Sequence, residues 1–396
     1  MPQSNPMANP VFAQLPTTIF TVMSALAVEH GAINLGQGFP DEDGPLAIRE
    51  VAAKALVEGP NQYPPTRGRI ELRRAIAAHA KRFYGLDFNP DTDVLVTSGG
   101  TEALTASIMG LVGEGGEVVL IEPAYDSYRP ICEAMGAKVR SVVLKQPDWR
   151  LDEAALAAAI TPKTRAVLLN SPLNPIGRAF TREELEGLAR VVAKSNAAVI
   201  CDEVYEHLIF DGREHIPLLT LPGMAGRTVR VGSAGKMFSL TGWKIGWVTG
   251  PAALVDPIAK AHQFITFTTP PALQLGIAHA LEHEIEFTLG LTRTLQANRD
   301  VLAAGLSRLG FKLLPCEGSY FLTADISGLS NEPDVEFCRR LVREAGVALI
   351  PLSVFFTGGK PDNLVRFAFC KRRGVIEDAL TRLAAYFKAS STMPNR

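Results

Sequence analysis

Residues 228–247 read TVRVGSAGKMFSLTGWKIGW. The stretch opens as a short β-type run, Thr228–Val231, and then sets Lys236 among small, apolar and aromatic residues. An ammonium left unpaired in such surroundings is costly to desolvate, whereas converting the amine to an imine removes the charge. On that reading Ser233 and Lys244, a hydroxyl and a cation on either side, both reach the phosphate of one cofactor. A structural lysine whose tip reaches solvent is the competing reading.

Upstream, further short runs rich in Val, Ile and Leu precede this one: Asp93–Thr97, Glu117–Ile121, Arg165–Leu169 and Ala197–Cys201. Ala/Leu segments of helical character lie between them, as at Thr101–Leu111, Glu153–Ala159 and Arg182–Lys194. Buried strands alternating with amphipathic helices predict an α/β domain with a mostly parallel sheet flanked by helices. That pattern spans 46–281, the expected large cofactor-binding domain. After Glu282 the texture changes: a long helical stretch through Thr288–Gly305 gives way to Phe311–Pro315, Ser319–Asp325, Val335–Ala345, Leu364–Phe369 and Val375–Tyr386. This predicts a smaller α+β domain built from 282–396 together with the N-terminal 1–45.

Three more motifs share the strand-end position where α/β proteins bind ligands. In DVLVTSGGTEAL (Asp93–Leu104), Gly99, Gly100 and Thr101 stand between a strand and a helix start, a plausible phosphate cradle or an ordinary turn. In NSPLNPIG (Asn170–Gly177) two prolines and two asparagines follow an apolar run. Asn174 either presents its amide to a cofactor oxygen or merely closes the turn. In AAVICDEVY (Ala197–Tyr205) the apolar strand ends in Asp202-Glu203, with Tyr205 close behind. A buried acid needs a cationic partner, and a protonated pyridine nitrogen is one; a helix cap or a metal-binding acid pair competes with it.

Taken in order, Gly99-Gly100-Thr101, Asn174, Asp202 with Tyr205, and Lys236 within SAGKMFSLTGWKIGW resemble the class I aminotransferases of the pyridoxal-phosphate fold type I. LGQGFPD (Leu35–Asp41), NQYPPTRG (Asn61–Gly68) and VRFAFCK (Val365–Lys371) extend the likeness over the chain. The resemblance implies pyridoxal 5′-phosphate held as a Schiff base on Lys236, with Asp202 on the pyridine nitrogen. It implies Tyr205 and Asn174 on the ring's 3-oxygen and Tyr125 stacked on its face. Gly100, Thr101, Ser233 and Lys244, with Tyr63 from a second subunit of a homodimer, take the phosphate. Arg366 binds the substrate α-carboxylate, with Gly38 and Asn174 nearby, and Phe267 reaches across the interface toward the side chain. Many relatives carry Arg where Lys244 stands, so the charge is kept and the two-pronged geometry lost. That departure, with the flanking segments, resembles the kynurenine, glutamine and methionine aminotransferase branch, near the N-succinyldiaminopimelate enzymes.

The implied activity is ping-pong transfer of an amino group from an L-amino acid to a 2-oxo acid. No second arginine is assignable to a distal carboxylate, which favours aromatic, methionine or glutamine side chains over aspartate. Phe39, Tyr125, Phe267 and Phe355 are candidate apolar walls or core residues. Alternatives are an N-succinyldiaminopimelate or aspartate aminotransferase, or a cysteine-conjugate β-lyase on the same scaffold. A non-catalytic regulator needs a fused DNA-binding domain, for which the segment before Leu35 is too short. An unrelated hydrolase with a metal at Asp202-Glu203 lacks His or Cys ligands at suitable spacing, so no metal is expected. Forty basic and 41 acidic residues leave a formal charge of -1, which excludes a general field for nucleic acid or acidic membranes. The start MPQSNPMANP has no basic region followed by an apolar run, and five scattered cysteines suit reduced thiols. A cytoplasmic location is the resulting expectation.

Overall fold

The computed structural model describes residues 7–358 and 360–391, so Met1–Pro6 of the polar start lie outside the described residues. A seven-stranded sheet forms the larger layer, in the order 94–97, 246–249, 228–233, 198–202, 164–170, 117–122, 138–143. Its neighbours pair in parallel except where Gly246–Thr249 runs antiparallel to both Val94–Thr97 and Thr228–Ser233. Every residue of Val94–Thr97, Glu117–Glu122, Ala198–Asp202, Thr228–Ser233 and Gly246–Thr249 is buried. Strands covered on both faces need apolar residues at odd and even positions alike, which is why they read as unbroken Val/Ile/Leu runs.

Two of the seven strands, Lys138–Val143 and Gly246–Thr249, are not among the runs legible in the sequence. The first is an edge strand with only Val142 buried and reads as mixed polar residues. The second is a short strand that begins at Gly246 inside the TGWKIGW motif.

A second, four-stranded sheet has the order 350–351, 364–368, 321–325, 312–313, all antiparallel. Ile33–Asn34 pairs in parallel with Val347–Ala348, so the N-terminal segment is stitched to the C-terminal part of the chain. The backbone of Leu35 extends this link, donating to Ala348 O and accepting from Ala368 N–H. The long helix expected through Thr288–Gly305 runs from Ile285 to Arg308. Helix Arg182–Ala193 starts on a reciprocal cap: Thr181 Oγ1 accepts from Glu184 N–H, and the Glu184 carboxylate accepts from Thr181 N–H.

Candidate active site

The carboxyl ends of strands 164–170, 198–202 and 228–233 open into a cavity of about 410 Å³. Gly38, Gly99, Gly100, Thr101, Tyr125, Asn174, Asp202, Tyr205, Ser233, Lys236, Lys244 and Arg366 all line it. The sequence motifs, spread over most of the chain, therefore converge on one enclosure, at the strand ends where open α/β sheets bind ligands.

Asp202 is the last residue of its strand and is buried. One carboxylate oxygen accepts from the Tyr128 hydroxyl at 2.5 Å, and the other accepts from Val204 N–H at 3.3 Å. Burial pushes its pKa up to about 6, against the pull of those two bonds and of Lys236. An acid in this position calls for a cation. Beside it Asn170 binds Asp202 O through Nδ2 and accepts from Asn174 N–H at 2.7 Å, which fixes the start of the NSPLNPIG loop.

Lys236 sits in a single helical turn, Ala234–Met237, directly after its strand. Burial, with Lys244 and Arg366 acting in the same direction, lowers its pKa to about 8; Cys370 and Asp202 oppose the shift. Its Nζ donates to the Tyr320 hydroxyl at 2.8 Å, and that hydroxyl donates to Gly38 O at 2.5 Å. Tyr205 is buried edge-on to Tyr320, with ring centroids 5.2 Å apart. Burial raises the phenol of Tyr125 to about 12, and that of Tyr205 is raised as well.

At the other end of the cavity Gly99 has φ +82° and Gly100 opens helix Gly100–Leu111. A Cβ on Gly99 would lie 3.2 Å from Lys244 Cε and 3.3 Å from its Nζ, and one on Gly246 would lie 2.7 Å from Gly99 C. The two segments pass too closely for side chains. Lys244 itself adopts a left-handed conformation, φ 53°, which brings its side chain against Gly99. Helix N–H groups, the Ser233 hydroxyl and this ammonium together make an anion cradle.

Arg366 projects from strand Leu364–Ala368 and is fully buried. Nη1 donates to Asn174 Oδ1 at 3.0 Å and Nη2 to Gly36 O at 2.8 Å, while Nε has no partner. Its Cζ lies 4.0 Å from the ring centre of Phe321, 5.2 Å from that of Phe20 and 5.4 Å from that of Phe355. Burial lowers its pKa to about 10. A buried guanidinium with an unused donor is prepared for a carboxylate. Gly38 lets the loop pass: a Cβ there would be 2.5 Å from Phe321 Cζ.

Tyr63 and Phe267 stand apart. Neither lines the cavity; they pack edge to face, centroids 5.0 Å apart, on the outer surface. Phe355 also lies outside the lining, behind Arg366, whereas Phe39 and Phe20 are part of it. Tyr128, Tyr320, Asn170 and Phe20 escaped the sequence reading. Tyr128 follows Tyr125 in the motif AYDSY at a helical interval, a signal that could have paired them.

The seven histidines showed no ligand spacing along the chain, yet the fold gathers His79, His207 and Glu206 with ligand atoms within 4.8 Å. They engage one another and their neighbours: His79 Nε2 meets His207 Nε2 at 2.7 Å, and Glu206 accepts from Arg230 Nη2 at 2.9 Å.

An acid lacking its cation, an enclosed amine of lowered pKa, an anion cradle and an aromatic face match pyridoxal phosphate group by group. The chain belongs to the class I and II aminotransferases: the profile of that family matches residues 30–383. It is therefore a pyridoxal-phosphate-dependent aminotransferase of fold type I. The methionine aminotransferase of Escherichia coli is 43% identical over 370 residues, covering 93% of this chain and 96% of that protein. The kynurenine–oxoglutarate transaminase of Dictyostelium discoideum is 37% identical, covering 89% and 90%. The structure of N-succinyldiaminopimelate aminotransferase from Mycobacterium tuberculosis superposes with a TM-score of 0.92 at 46% identity, covering 95% of this chain and 99% of that one. Among the described residues no helix is long and apolar enough to cross a membrane.

Proposed function

We propose that the enzyme moves the amino group of an L-amino acid with an aromatic, thioether or amide side chain to a 2-oxo acid. The observation that carries this reading is Arg366, buried and, among the described residues, without a partner for Nε and the only arginine lining the cavity. One carboxylate is thus provided for, and Phe20, Phe39 and Tyr125 supply apolar or aromatic surface for the rest of the substrate.

Bound here, pyridoxal 5′-phosphate supplies the sink for the electron pair left when the substrate's Cα proton departs. Lys236 would hold the cofactor through Nζ and, as a free amine, would take and return a proton at that nitrogen. Its lowered pKa keeps a neutral amine accessible near neutral pH. Asp202, held by Tyr128 and Val204 N–H, keeps its carboxylate for the ring nitrogen. Asn174 and Tyr205 would hold the ring's 3-oxygen and Tyr125 would cover its face. Gly99, Gly100, Thr101, Ser233 and Lys244 hold the phosphate. Donor and acceptor occupy the same site in turn, so kinetics are ping-pong.

A homodimer completes the site. Tyr63 and Phe267 project outward beside exposed Phe264 and Ile265, apolar surface that a second copy would cover while delivering Tyr63 to the phosphate. The division into 46–281 and 1–45 with 282–396 has matching support, since the seven-stranded sheet lies within 94–249 and the smaller sheets draw on 33–34 and 312–368. A second reading, N-succinyldiaminopimelate as donor, is favoured by the 46% identity to the mycobacterial enzyme of that name.

The test is borohydride reduction of the coloured holoenzyme, peptide mass analysis, and a donor panel of methionine, phenylalanine, kynurenine, glutamine, aspartate and N-succinyldiaminopimelate. The expected result is cofactor fixed to Lys236, bleaching by the first four donors, and turnover lowered by about 10³-fold or more in Lys236→Ala. Fixation elsewhere sinks the lysine assignment. Preference for N-succinyldiaminopimelate selects the second reading, and preference for aspartate sinks both.

A further inference from the structure

Tyr320 stands between the two halves of the site. It is buried in the smaller sheet's entry turn, directly before strand Phe321–Asp325, and touches Lys236 on one side and the Leu35–Asp41 segment on the other. A phenol has one proton. At 2.5 Å the Gly38 carbonyl, which can only accept, claims it. The bond from Lys236 Nζ at 2.8 Å is therefore one in which Tyr320 can only accept.

We propose that Tyr320 is a positioning residue for the amine of Lys236, an obligate acceptor that fixes one N–H and leaves the nitrogen lone pair free to take up a proton. This rests on Lys236 being the base. A phenol free to donate would compete for that lone pair; one committed to Gly38 cannot. The arrangement also ties the amine's orientation to the segment carrying Gly36 and Gly38, which contacts Arg366 through Gly36 O. Tyr205, edge-on to the Tyr320 ring, flanks the pair. Lys236 Nζ is 5.5 Å from the Tyr320 ring centre and 5.7 Å from that of Tyr205, so it lies between two aromatic walls.

The proposal separates an orienting role from a packing role. Tyr320→Phe keeps the ring and removes only the acceptor. In the holoenzyme it should lower kcat by about tenfold while KM changes by less than about threefold, because orientation of the base matters in proton transfer and not in substrate capture. A second readout needs no turnover: the pH at which Lys236 in the cofactor-stripped protein reacts with an amine-directed reagent, followed by peptide mass spectrometry. An acceptor stabilises the ammonium, so its removal should move that midpoint down by about half a unit to one unit. Unchanged labelling and a kcat within about twofold of wild type would overturn the proposal. A Lys236→Ala enzyme that still turns over would overturn instead the assignment of the base, so the two failures are distinguishable.

Discussion

The proposed recognition of substrate rests on one side chain, Arg366. It is enclosed by Phe20, Phe321 and Phe355 and anchored to Asn174 and Gly36, so its planar fork is set before any ligand arrives. Arg366→Lys keeps a cation but loses the paired donors, and the shorter ammonium cannot satisfy both anchors. Steady-state kinetics with the best amino donor should show KM raised by about 100-fold, with kcat falling much less. A KM within about threefold of wild type would mean the carboxylate binds elsewhere. At this scale the sequence was most legible where a residue type is chemically out of place: Lys236 among small and apolar neighbours, Asp202 at the end of an apolar strand. Tyr128 and Tyr320 were not, because a tyrosine in a core segment is unremarkable until its hydroxyl is seen to meet Asp202 Oδ2 or Lys236 Nζ.

Among the elements, the Leu35–Asp41 segment shows how an irregular stretch is made rigid. Leu35 is paired on both sides, Gly36 O accepts from Arg366, Gly38 O from Tyr320, and Phe39 O and Asp41 from Lys371. These clamps come from beyond residue 319, and Gln37 Nε2 adds bonds to Phe20 O and Ser24 Oγ. Apart from the local turn in which Asn34 Oδ1 accepts from Gly36 and Gln37 N–H, the loop's conformation is therefore a tertiary property that local spacing could not reveal. The apolar strands were legible for the opposite reason: burial on both faces writes itself into composition, whereas the edge strand Lys138–Val143 carries no such mark.

Behind strand Ala198–Asp202 lies a buried polar network. Arg230 donates to Glu203 and Glu206, His215 meets Glu203, and His79 meets His207. Burial, assisted by His207, Arg230 and Arg82 and opposed by Glu206, lowers the pKa of His79 from 6.5 to about 4. The unfolded chain then binds a proton that the folded chain refuses throughout that window. Stability from this group is therefore lost as pH falls from 6.5 toward 4, by at most about 1.4 kcal/mol per unit. Urea unfolding of wild type and His79→Gln should show the variant less stable at pH 7, with the gap closing as pH drops through the window. A gap independent of pH would show that His79 titrates in the fold as it does in the unfolded chain.

The molecule exposes Phe264 at 82% and Tyr63 at 80%, the latter packed on half-exposed Phe267, which is apolar surface that an association would cover. Phe264→Glu should shift the protein toward monomers in light scattering and lower activity and cofactor retention in parallel, by about tenfold or more at micromolar concentration. A fully active monomer would remove Tyr63 from the site. Which apolar residues the fold leaves exposed was not legible in the sequence, since exposure depends on the fold and not on the residue type.

The parallel pairing of Ile33–Asn34 with Val347–Ala348 has a consequence in time as well as in space. During synthesis the strand and turns that carry Asp202, Lys236 and Lys244 are all made once Thr249 has left the ribosome, while the earlier segment through Gly36 and Gly38 waits for Tyr320, Arg366 and Lys371 to emerge. A chain ended at Thr249 contains every described residue that lines the cavity except Phe321 and Arg366. On the role proposed for Arg366, selectivity would come last, when the end of the chain closes over its beginning.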